Sequence, residues 1–244
     1  MVKINIHPLT YFLLFSILIC GYFNYFLIIS IIILIHDLGH IIAMKILKIK
    51  IFNIDILPFG SIIKSRIKYN LNSNYLLLIS ISGILMQLLL YLVFYILFKH
   101  LIINNLSYRI FLTYNKLIIL FNLLPIIPLD GSKIFISFIE RILPYNLSLY
   151  LTNIISIIFL IGFIFLNSIN INLMMISIFM FFKIYEDLIN HKYIFYLFLV
   201  ERYLDNKHYK HIKYIDNIKN IYKNRYNFIN MVNETSYLAY LIDK

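Results

Sequence analysis

The sequence predicts an all-α membrane protein of about six transmembrane helices, with a re-entrant or hairpin loop between the second and third. Two observations carry that prediction. Of the 244 residues, 61% are hydrophobic and only 14% charged, far more apolar surface than the interior of a soluble domain of this size takes up. That apolar content is also gathered into runs of about 15 to 25 residues almost free of charge, near the ~20 needed to cross a hydrocarbon core of roughly 30 Å.

Six such runs lie near 9–23, 25–47, 75–98, 108–124, 149–167 and 171–189. The first resembles the core of a signal peptide, but it lacks a small-residue cleavage site and has only Lys3 as a basic flank, so it reads as a retained anchor. Lys45, Lys48, Lys50, Lys64, Arg66 and Lys68 crowd the connection between the second and third spans, and the positive-inside rule places such a loop in the cytoplasm. Parity then puts both termini in the cytoplasm, in agreement with the basic tail, and the uncharged 21–24 and 168–172 connections outside. The connection holding Lys99, His100 and Arg109 runs against that rule. Lys116, inside the fourth span, is accommodated if its stem snorkels to the outer interface.

The segment 51–68, IFNIDILPFGSIIKSRIK, differs in kind: its apolar residues partly alternate, and Pro58 and Gly60 break any helix. The chain divides into a polytopic membrane domain over 1–200 and a basic cytoplasmic tail over 201–244, in which Lys, Asn and Tyr mix with scattered apolar residues as in amphipathic helices. The formal net charge of +11 lies mostly in loops beside the spans, which membrane topology explains better than nucleic-acid binding. No nucleic-acid partner is expected; the bilayer is. Cys20 is the single cysteine, which excludes an intrachain disulfide and a cysteine-based zinc site. Any metal must use histidine and carboxylate.

The second span contains His36-Asp37-Leu38-Gly39-His40, two imidazoles four residues apart on one helix face, the spacing at which both reach one ion. The alternative is a pair of packed or capping histidines. At ~1.5 Å per residue, however, His36 lies roughly 15 to 18 Å below the outer end of the span, where ionisable groups need partners and mark function. Zinc needs a third protein ligand to keep one position open. Asp130 is the candidate, in Asn122-Leu-Leu-Pro125-Ile-Ile-Pro128-Leu-Asp130-Gly131. The two prolines open the backbone at the end of the fourth span and allow Asp130 to turn back toward the metal. Alone, an Asp-Gly pair reads as a turn; with the histidine motif in another span, ligation is favoured. Asn122 is an amide that can donate to a substrate carbonyl oxygen as charge develops there. Gln87 reads as a packed amide between spans, and no motif surrounds His7, His100, His191, His208 or His211.

HDLGH followed by FNLLPIIPLDG resembles the site-2 proteases, and LPFG at Leu57 to Gly60 narrows the likeness toward stage IV sporulation protein FB-like members. The resemblance covers most of residues 25–135. It implies zinc bound by His36, His40 and Asp130, a substrate contact at Asn122, and a membrane-associated protein substrate such as a sporulation sigma-factor precursor, with possible regulatory partners in a bacterial cytoplasmic or internal membrane. The chain departs from the family in three places. Asp37 stands where the family has the glutamate that serves as general base. Ile84 and Gln87 follow Ser82-Gly83 where a proline and an asparagine are usual, and Ser132-Lys133 follow Gly131 where Gly-Arg is frequent. Sporulation members commonly end in a nucleotide-sensing cystathionine-synthase-type domain, and the tail after Arg202 is too short to hold one.

The function expected is intramembrane zinc proteolysis, with Asp37 taking the proton of the attacking water. A non-catalytic relative that binds membrane partners is the alternative, since Asp is one methylene shorter than Glu. A metal transporter is a third reading, against which stand the adjacent Asp37 and the absence of paired halves in the chain.

Overall fold

The computed structural model describes residues 3–6, 10, 21–57, 60–65, 67–166, 171–205, 209 and 211–242. In chain order these form β1 (Lys3–Ile6), α1 (Phe23–Ile46), β2 (Ile51–Leu57), β3 (Gly60–Ser65), α2 (Ser73–Lys99), α3 (Asn105–Asn122), α4 (Asp130–Ile139), α5 (Tyr145–Leu166) and α6 (Ile171–Leu204). A tail of β4 (Ile212–Ile215), a 3-10 turn (Ile218–Asn220), β5 (Tyr226–Ile229), β6 (Val232–Asn233) and α7 (Glu234–Ile242) follows.

Among the described residues three helices, α1, α2 and α5, are long and apolar enough to cross a membrane. They fall on three of the expected runs. The expected span at 108–124 falls on helix α3, where Lys116 is exposed, and that at 171–189 falls within the 34-residue α6. The expected first span, 9–23, lies mainly outside the described residues.

The protein is mostly helical, but it is not all-α: it carries two three-stranded sheets, of order β1-β2-β3 and β4-β5-β6. In the first, β1 runs parallel to β2 and β2 antiparallel to β3. Ile, Phe and Leu alternate with Asn53 and Asp55 along β2, the period-two pattern of a strand. The Asn5 amide donates to the Asp55 carboxylate at 2.9 Å where the two strands are in register. The tail, expected to be amphipathic helix, does end in one, α7, but carries a three-stranded sheet before it. Its strands, IKYI and YNFI, are four residues long, too short for their alternation to be told from helix by sequence.

The chain forms two compact units, one of residues 1–67 and 78–122 and one of 68–77 and 123–244. The core of the first joins Ile28 and Ile32 of α1, Leu90 and Phe94 of α2, and Ile110 and Phe111 of α3, with the Phe94 and Phe111 rings stacked 3.8 Å apart. In the second, Tyr145 and Leu149 of α5 and Phe198 of α6 pack with Ile215, Ile221 and Ile229 of the tail. Two buried ion pairs pin that tail. Lys223 Nζ meets Glu140 at 2.8 Å, and Arg202 of α6 pairs with Glu234 while donating to the Lys223 carbonyl at 2.7 Å. Each buried charge meets an opposite one, the condition for burying it.

Candidate metal centre

The buried face of α1 reads Ile28, Ile32, His36, Gly39, His40 and Ala43, residues that recur at intervals of three and four and so lie on one stripe. It is apolar at its start and carries two imidazoles and two small residues further on. The small residues decide how closely α2 approaches. A Cβ on Gly39 would strike the Ser82 carbonyl, and one on Gly83 would lie 2.6 Å from His36 Cε1 and 2.8 Å from His40 Cε1. Only glycine at both positions lets the backbone of α2 lie directly against the two rings.

Hydrogen bonding then sets how the rings are held. His40 Nδ1 lies 2.8 Å from the Ile79 carbonyl, which can only accept, so His40 Nδ1 is the donor. His36 Nδ1 lies 3.0 Å from Gln87 Oε1, again an acceptor. A neutral imidazole that donates from Nδ1 presents the lone pair of its Nε2, and the two Nε2 atoms face each other at 3.1 Å with the rings at 87°. Two lone pairs at that separation repel unless a cation lies between them. Two nitrogen ligands of a tetrahedral zinc, each at about 2.0–2.1 Å, stand about 3.3 Å apart. The donor set of this unit therefore fits a metal ion.

Asp37 follows His36 on α1 and is half-buried, and Asn122 is the last residue of α3, also half-buried. All four of these predicted site residues lie in the first unit. Asp130, the fifth, lies in the second. It is the first residue of α4, is buried, and accepts from Lys133 Nζ at 2.9 Å. The chain around it is folded back tightly. The Ile127–Pro128 peptide is cis, Ser156 Oγ accepts from the Ile127 amide at 3.2 Å and donates to the Pro125 carbonyl at 3.2 Å. A Cβ on Gly131 would strike the Leu123 and Leu124 carbonyls. The break expected at the prolines thus runs from Asn122 to Asp130. A carboxylate in the first turn of a helix is also favoured by the helix dipole.

Two residues escaped the sequence reading. Gln87, whose sequence context predicts a packing amide, holds a histidine, and Asn115 of α3, fully buried, bonds to Gln87. The available signal was an amide inside each of two apolar runs; what they pair with depends on contacts 28 and 51 residues apart in sequence.

No family model matches the chain. Over 205 residues, 82% of this chain and 71% of the relative, it is 28% identical to stage IV sporulation protein FB of Bacillus subtilis (strain 168). Its fold matches that of the site-2 protease from Methanocaldococcus jannaschii with a TM-score of 0.56, at 24% identity, over 75% of this chain and 89% of that one. The chain is thus similar in sequence to stage IV sporulation protein FB and similar in fold to a site-2 protease.

Proposed function

We propose that this chain is an intramembrane zinc metalloprotease, related to the site-2 proteases, that hydrolyses peptide bonds of membrane-associated proteins. The observation that carries the reading is the pair of Nε2 atoms facing each other at 3.1 Å, both rings fixed through Nδ1, on a helix apolar enough to cross the bilayer. His36 and His40 are two metal ligands and Asp130 the third; each offers one buried ligand atom. These three residues would hold a zinc ion, which when bound would supply Lewis acidity toward a carbonyl and lower the pKa of water.

The remaining steps fall to the chain. Asp37 accepts the proton of the attacking water and returns it to the departing amine. Asn122 donates from its amide to the carbonyl oxygen as negative charge gathers there. A transmembrane substrate must unwind to expose a peptide bond, and β1 and β3, the edges of the first sheet, offer it a strand to pair with. The basic connection after α1 and both termini lie in the cytoplasm under this reading, with the substrate reached from that side. The Bacillus relative is named for sporulation, and a membrane-associated sigma-factor precursor is the substrate class that reading favours, with membrane proteins as regulatory partners.

Metal analysis of the purified protein tests it. One zinc per chain is expected, lost on replacing His36, His40 or Asp130 with Ala; stoichiometric zinc in all three variants would sink the assignment. Asp37 in the place of the family's glutamate favours a second reading, a relative that binds membrane proteins without cutting them. Zinc-replete protein that cleaves no membrane-associated candidate would establish it.

A further inference from the structure

We infer that Gln87 and Asn115 are positioning residues of the metal centre, an amide relay that fixes which nitrogen of His36 is offered to the metal. The inference rests on the metal ligation proposed above, and not on the hydrolysis. Its first link is the backbone carbonyl of Gln87, which can only accept. Asn115 Nδ2 lies 3.2 Å from it and must be the donor. The orientation of the Asn115 amide is thereby set, and its Oδ1 accepts from Gln87 Nε2 at 3.3 Å. With its nitrogen committed to Asn115, Gln87 turns its Oε1 to His36 Nδ1 at 3.0 Å. His36 therefore carries its hydrogen on Nδ1 and presents the Nε2 lone pair.

Both amides are fully buried, so water does not compete for these bonds, and all the residues lie in one compact unit. The arrangement supplies what a metal-binding histidine requires, a hydrogen-bond acceptor on the nitrogen that does not ligate. His40 takes a backbone carbonyl for the purpose, and His36 takes a side chain. A simple packing amide needs no defined orientation, whereas here a carboxamide turned by a half-rotation would point N–H at His36 Nδ1 and favour the wrong tautomer.

The experiment uses the full chain in detergent micelles, with Zn2+ affinity read by competition with a chromophoric chelator and the ligand field by the visible absorption of Co2+-loaded protein. Q87M keeps the length and removes the acceptor; it is expected to weaken Zn2+ binding by about 10- to 100-fold and to shift the Co2+ bands. Q87E keeps an acceptor and is expected to bind within a few-fold of the parent. N115L, which frees the Gln87 carboxamide to turn, is expected to lose about tenfold and serves as the reading if Q87M does not assemble. Parent-like Zn2+ affinity in Q87M, or a loss in Q87E as large as that in Q87M, overturns the relay. H36A separates the two levels: if it binds no Zn2+ while Q87M binds normally, the relay fails and the metal centre stands. If H36A keeps its Zn2+, the ligand assignment itself fails.

Discussion

One methylene separates Asp37 from the glutamate of the related motif, and a misplacement of ~1 Å in a catalytic group costs on the order of a hundredfold in rate. Reach is therefore the question at the residue scale. D37N keeps the shape and cannot take a proton, so cleavage in reconstituted membranes should fall by about 10²- to 10⁴-fold while zinc stays bound. D37E should keep measurable cleavage, faster or slower according to how the backbone of α1 has settled around the shorter acid. Equal rates for the parent and D37N would remove Asp37 from the role. At this scale the i, i+4 histidines were legible, because one helix turn brings them together without help from the rest of the fold. The partner of His36 was not, because Gln87 lies 51 residues away and its contact exists only once α2 packs on α1.

At the scale of elements, glycines control how closely α1 and α2 meet. G83A should drive a methyl into both imidazoles and reduce bound zinc well below one per chain, measured by metal analysis of the folded protein. G162A is its control: a Cβ there meets nothing within 4 Å, so the change should leave zinc untouched and stabilise α5 by roughly 0.5–1 kcal/mol. Equal zinc in the two variants would contradict the close packing. The sheet of the tail depends on a different device. Lys223 and Glu140 are buried together at 2.8 Å, and removing one partner strands the other charge. K223A should cost about 3–5 kcal/mol in thermal unfolding, whereas the double change E140L/K223M should recover most of that loss. An unaltered K223A would show that the tail is held elsewhere. The strand character of 51–65 was partly visible as alternation broken by Pro58 and Gly60. The tail strands were hidden because at four residues or fewer their alternation cannot be told from helix, and their pairing joins residues as far apart in sequence as Ile212 and Tyr226.

At the scale of the whole molecule, the distribution of basic residues makes the testable statement. A reporter fused after residue 60 or at the C-terminus should register cytoplasm, and one fused near residue 169 the exterior. The reverse result at residue 60 would overturn the orientation and, with it, access from the cytoplasmic side. Three of the expected spans coincide with helices apolar enough to cross a membrane. That agreement follows from a constraint that acts on composition alone, since a chain in lipid must satisfy its backbone internally and shed its charges over some twenty residues.

The sequence by itself determined that this is a membrane protein, that any metal it binds must be held by histidine and carboxylate, and that His36, His40 and Asp130 are the candidates. Each of those conclusions needs only local spacing or the arithmetic of residue types. Tertiary structure alone decided that glycines at 39 and 83 bring a helix backbone against the imidazoles. It also decided that Ile79 and Gln87 take the hydrogens of their Nδ1 atoms, and that the two Nε2 atoms face each other. A hydrogen bond is directional and short, so which tautomer a buried histidine adopts is set by the atoms packed within about 3 Å of it, and those atoms come from a different helix.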